Sequence, residues 1–116
     1  SMKINEINAT ADEICEIMTL LSNRSRLMIL CLLTEGEKSV TELEETMSMS
    51  QASVSQQLAR LRFDRLVTTR RQGRVIYYSI ASDEVSNIIN QLYDLFCLKK
   101  SGPFESNLIK IAKIMA

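Results

Sequence analysis

Apolar or small residues recur at Ile7, Ala11, Ile14, Met18 and Leu21, in steps of four and three that trace one stripe of a first helix. Asn23 stands where an N-cap is needed for a second helix. The middle of that helix, Leu27 to Leu33, is apolar on every side and predicts burial in a core. Glu35-Gly36-Glu37 closes it. Thr41 to Met47 reads as a short third helix, with Thr41 and Glu44 spaced as a capping box. Ser48-Met49-Ser50 forms a tight turn, and Ser50 caps a fourth helix that runs to about Phe63.

Beyond Phe63 the period changes. Leu66–Arg71 and Arg74–Ile80 are rich in Val, Thr, Tyr and Ile and flank Gln72-Gly73, which predicts a β-hairpin with a two-residue loop. Ser82-Asp83-Glu84 then offers a cap and two first-turn acids to a fifth helix striped by Val85, Ile88, Ile89, Leu92, Leu95 and Phe96. Gly102-Pro103 interrupts it, and Asn107 to Met115 forms a possible sixth helix within a C-terminal extension, residues 102–116. The order α1-α2-α3-α4-β-β-α5 is that of a winged helix–turn–helix: one mainly α domain, 1–116, with a hairpin wing. The apolar stripes of the first and fifth helices exceed what so small a domain needs and predict a homodimer.

Ser1 precedes Met2 and reads as a cloning remnant. With no apolar run near the ~18 residues that span a membrane, the expected setting is cytoplasmic, with no membrane partner. The formal net charge of zero, taken alone, argues against a nucleic-acid partner, but the distribution of charge argues for one. Arg60, Arg62, Arg65, Arg70, Arg71 and Arg74 fall together with Asp64 as the single acid among them, and phosphates meet a patch rather than a sum.

On a helical wheel Val54, Leu58 and Leu61 share the inner face of the fourth helix, and Ala52, Ser53, Gln56 and Arg60 lie opposite. Small residues allow close approach to a major groove, and a glutamine amide pairs bidentately with adenine. Ser53 and Gln56 are therefore expected at bases, with Gln51, Ser55, Gln57 and Arg60 near the phosphate backbone. In the hairpin, a loop at Gln72-Gly73 sets Arg71 opposite Arg74 with Arg70 beside them. Like charges so opposed destabilise a free hairpin and are tolerable over phosphates. The partner so implied is a duplex operator, an inverted repeat read by two copies.

The run Ser50-Gln51-Ala52-Ser53-Val54-Ser55-Gln56-Gln57-Leu58-Ala59-Arg60-Leu61-Arg62, then Leu66-Val67 and Arg71-Gln72-Gly73-Arg74, resembles the ArsR family of repressors, as does Asn23 to Leu33. Two departures stand out: Gln57 where the family often has His, and Arg65 where it often has Gly. The family's usual metal sites are absent, since the chain has no histidine and Ser39 and Thr41 replace a Cys-x-Cys motif. No metal or other cofactor is expected. Cys31 and Cys97 instead resemble the family's persulfide- and redox-responsive branch. That resemblance implies that a disulfide or short polysulfide between them releases DNA in response to reactive sulfur or oxidant. Cys15 reads as a core residue of the first helix. Two other readings stay open: an arsenite or thiophilic-metal sensor in which Cys15 joins one or both of Cys31 and Cys97, and a winged helix used for protein contact. No catalytic constellation is present, so no enzymatic activity is expected.

Overall fold

Asn23, Ser39, Ser50 and Ser82 each accept a hydrogen bond from the backbone N–H three residues ahead (3.0, 3.2, 3.1 and 3.3 Å), and each starts a helix. The computed structural model describes residues 3–95 and Ile114. Its elements are α1 (Ile4–Leu21), α2 (Arg24–Leu33), β1 (Lys38–Ser39), α3 (Val40–Met47), α4 (Gln51–Phe63), β2 (Val67–Gln72), β3 (Val75–Ile80) and α5 (Asp83–Tyr93). The order is that of a winged helix–turn–helix. Phe96, Cys97, the Gly102-Pro103 break and the 102–116 extension lie outside the described residues, Ile114 excepted.

Ile29, Leu30, Leu43, Val54, Leu58 and Leu61 have no exposed surface and join α2, α3 and α4 in one core, which Val85 and Ile89 of α5 complete. Three expectations change here. The box on α3 is Ser39 with Glu42, not Thr41 with Glu44: Ser39 pairs with Tyr77 in β1, so it holds the extended backbone a cap requires. The second helix is not buried all round, because Leu27, Met28, Cys31 and Leu32 are half-buried. In α1 only Leu20 is buried, and Cys15, expected in the core, is exposed. Five positions of a helix turn Cys15 well away from the Leu20 side.

The sheet has the antiparallel order β1-β3-β2, so two residues before α3 add a third strand to the predicted hairpin. Gln72 pairs with Val75, which makes the loop Gly73-Arg74, one residue later than expected. Gly73 has φ of +62°, and the first loop position is where a type II′ turn takes glycine. This shift corrects the arginine register. Arg71 stands opposite Ile76, Arg70 opposite Tyr77, and Arg74 sits in the turn, so no two arginines oppose one another.

The joint between α4 and the wing is a Schellman ending. Leu66 N–H donates to Leu61 O (2.9 Å), Arg65 N–H donates to Arg62 O (3.0 Å), and the buried side chains of Leu61 and Leu66 accompany the turn. Its left-handed residue is Arg65, at φ +62°, where the resemblance leads one to expect glycine. An L side chain pays about 1–2 kcal/mol for that conformation, and glycine recovers it less the chain entropy that it loses. Arg65→Gly should therefore raise stability by about 0.5–1 kcal/mol. A higher urea midpoint at unchanged slope is the expected result; an unchanged or lower midpoint would show that the arginine side chain makes compensating contacts.

Candidate nucleic-acid interface

Helical geometry divides the surface of α4 into three strips around its buried edge of Val54, Leu58 and Leu61. Ala52, Gln56, Ala59 and Phe63 form the outermost strip, all exposed, with Phe63 at 84%. Gln51, Ser55 and Arg62 form the strip toward the wing. Ser53, Gln57 and Arg60 form the strip toward α1 and α2.

On the wing side, Gln51 and Ser55 share a cleft of about 370 Å³ with Arg74, Val75 and Ile76 of the hairpin and with Thr41 and Tyr78. Amide, hydroxyl and guanidinium groups thus line one concave surface between the helix N-terminus and the wing tip. Among the described residues Arg74 has no ion pair. Among the described residues Arg71 donates only to the carbonyl of Gly73 (3.1 Å), which shapes the tip and leaves its charge without an ion pair.

The third strip is more committed than the sequence suggested. Ser53 is half-buried and engaged in the cap, with its hydroxyl 2.9 Å from that of Ser50. Arg60 turns to Asp64 (2.6 Å) beside Glu16 and Thr19 of α1. Gln57 is half-buried, and its Oε1 accepts from Arg26 Nη1 at 3.2 Å.

Arg70 is likewise spoken for. Its guanidinium forks onto the Glu37 carboxylate (3.1 and 2.5 Å), reaches Gln72 Oε1 (3.0 Å) and lies over the Tyr77 ring, 4.8 Å from the centroid. The hydrogen bond from Arg70, with the attraction of its charge, holds the Glu37 carboxyl below its ordinary range against an opposing desolvation. The brace is thus complete at neutral pH and is lost as pH falls through that lowered value. Both partners are exposed, so it orients the wing more than it stabilises the fold. Arg70 belongs to the far face of the hairpin, away from the cleft. Glu37 and Tyr77 were not identifiable from sequence, because the pair spans 33 residues and only the strand register brings it together.

Cys31 is half-buried and lines a cleft of about 290 Å³ with Leu32, Thr34 and Glu35 of the α2 end and with Asn90 and Tyr93 of α5. Cys97 lies outside the described residues, and Cys15 is not among the cleft residues. Among the described residues no three His, Cys, Asp or Glu side chains converge as a metal site, and no helix is long and apolar enough to cross a membrane. A separate apolar groove of about 510 Å³ runs between α1 and α5, lined by Ile14, Ile17, Met18, Leu21, Ile88 and Leu92.

Known proteins share this fold. Residues 23–69 match the family described as bacterial regulatory protein, arsR family, a span that covers the second helix to the wing. The transcriptional activator HlyU of Vibrio cholerae is 36% identical over 96 residues, which cover 83% of this chain and 89% of that protein. The biofilm growth-associated repressor of Xylella fastidiosa is 36% identical over 99 residues, 85% of this chain and 87% of the repressor. The crystal structure of HlyU from Vibrio vulnificus superposes with a TM-score of 0.78 at 38% identity, covering 83% of this chain and all of that one. The chain belongs to the ArsR family of bacterial regulatory proteins and is a winged helix–turn–helix transcriptional regulator.

Proposed function

We propose that the protein is a homodimeric repressor that reads an inverted-repeat operator through α4 and the wing and is switched by its cysteines. The observation that carries the DNA reading is the shared cleft of Gln51, Ser55 and Arg74. A recognition helix enters the major groove by its N-terminal residues, and a wing follows the adjacent backbone. In this reading Gln56 and Ala52, exposed on the outermost strip, meet base edges. Gln51 and Ser55 hold the flank, and Arg71 and Arg74 meet phosphates. Arg70 and Gln72 brace the hairpin. The α1/α5 groove supports the dimer, since a second copy would cover an apolar surface that water meets in a single chain.

Cys31 and Cys97 form the switch in this reading. Cys31 faces Asn90 and Tyr93 of α5, and Cys97 follows them in sequence by seven and four positions. One thiolate takes the sulfane sulfur of an organic persulfide and releases a thiolate. The second then displaces hydrosulfide and closes a disulfide, or a trisulfide if a second sulfane sulfur was added first. Either bridge ties α2 to the chain that follows α5 in sequence and so acts on the spacing of two recognition helices. Of the two relatives compared by sequence, one is called an activator and one a repressor.

If the wing meets DNA as described, log affinity falls with log salt by about 0.9 per phosphate neutralised. Arg71→Ala and Arg74→Ala should each flatten that slope and weaken binding to all sequences alike. An unchanged slope in both would remove the wing from the interface. For the switch, Cys31→Ser and Cys97→Ser should each bind the operator and ignore persulfide, while Cys15→Ser responds normally. Intact mass should show the bridge and its loss on reduction. Normal release in either serine variant would sink the dithiol switch, and loss of response in Cys15→Ser would favour the three-thiol metalloid site.

A further inference from the structure

Arg26 makes two side-chain hydrogen bonds that join otherwise separate parts of the fold. Its Nε donates to the carbonyl of Leu20 at the end of α1 (2.9 Å), and its Nη1 donates to Gln57 Oε1 on α4 (3.2 Å). Its own backbone N–H is held by the Asn23 cap, so the side chain starts from a fixed point. The half-buried guanidinium thus ties the last turn of α1, beside the apolar groove, to the middle of the recognition helix. No acid pairs with it among the described residues.

This contact also fixes the polarity of Gln57. A free carboxamide rotates to present oxygen or nitrogen, whichever suits its neighbour. A guanidinium has five donors and no acceptor, so only the oxygen of Gln57 can face it. The NH₂ is left as the free half of the amide, and no described residue accepts its hydrogens. A donor-only group on the flank of α4 suits an acceptor-only surface, and a phosphodiester is one.

We propose that Arg26 is a positioning residue for DNA binding: it holds the carbonyl of Gln57 so that the amide N–H₂ donates to a backbone phosphate of the operator. This rests on the reading of α4 as the DNA-binding helix. Arg26 itself, turned to Leu20 and Gln57, makes no phosphate contact. The link gives α1 a mechanical connection to the helix that it helps to space on DNA, one that does not pass through the apolar core.

Salt dependence separates acting through Gln57 from touching DNA directly. A neutral amide releases no counterion when it meets a phosphate, whereas a guanidinium does. Operator affinity is measured against salt for wild type, Gln57→Ala, Arg26→Met and the double variant, with thermal melts and dimer mass recorded for each. Gln57→Ala and Arg26→Met should each weaken binding about tenfold per half-site at unchanged slope, and the double variant should be no weaker than either single. Gln57→Glu covers the case in which Arg26→Met fails to fold. It keeps the acceptor for Arg26 and so melts at or above wild type, yet it binds DNA more weakly than Gln57→Ala because a carboxylate replaces the donor.

Three results would overturn the proposal. A slope lowered by about 0.9 per subunit in Arg26→Met would make Arg26 a direct phosphate contact. Losses that multiply in the double variant would show two independent effects. Gln57→Glu binding as well as Gln57→Ala would show that no donor faces DNA there. Wild type that binds no duplex is a different failure, that of the DNA reading itself.

Discussion

The placement of α4 depends on three side chains, Val54, Leu58 and Leu61, none of which leaves any surface exposed. They seat the helix on α2 and α3 and so decide which of its other faces meet solvent. Everything attributed to the DNA surface follows from that seating. The outermost strip is small and polar, one flank faces the wing, and the other is tied to α1 and α2. Burying three such side chains stabilises the fold by about 1.5–3 kcal/mol each, far more than any surface pair, so the polar groups take positions that the core has already set.

Two joints carry that placement outward. At one end the Schellman turn of Arg65 and Leu66 leads α4 directly into β2, so the wing cannot be moved without moving the helix that precedes it. At the wing, the Arg70 brace on Glu37 and Tyr77 fixes the hairpin against the loop that follows α2. Of the six clustered arginines, Arg62, Arg65, Arg71 and Arg74 have no ion pair among the described residues, and Arg71 and Arg74 are those at the tip. The arginine cluster visible in the sequence is therefore sorted by the fold into braces (Arg60, Arg70), a turn residue (Arg65) and exposed charge on α4 (Arg62) and at the wing tip (Arg71, Arg74).

Period and capping residues make most of the fold legible in the sequence. Spacing alone names Val54, Leu58 and Leu61 as the inner face of α4, and Asn23, Ser50 and Ser82 mark helix starts that the structure keeps. What spacing cannot provide are relations across the chain. The hairpin is offset by one residue because Gly73, not Gln72, takes the positive-φ position, and that offset undoes the expected opposition of Arg71 and Arg74. Strand β1 is too short to show a period. Gln57 and Arg70 look like free surface in the sequence because nothing local announces that Arg26 and Glu37 reach them. Residue type places Cys15 inside, whereas its position relative to Leu20 puts it outside.

What covers the groove between α1 and α5 decides whether two recognition helices can act together. Ile14, Met18, Ile88 and Leu92 are each more than a third exposed in the single chain, and they line one continuous surface. Two recognition helices meet half-sites one DNA turn apart only if a two-fold axis runs through such a surface. Sedimentation equilibrium of the full chain at micromolar concentration, with and without Leu92→Glu, tests this most directly. The expected result is a wild-type dimer and a Leu92→Glu protein that is monomeric and loses operator binding while keeping its helical signal. A wild type that is monomeric at concentrations where it binds its operator would contradict it.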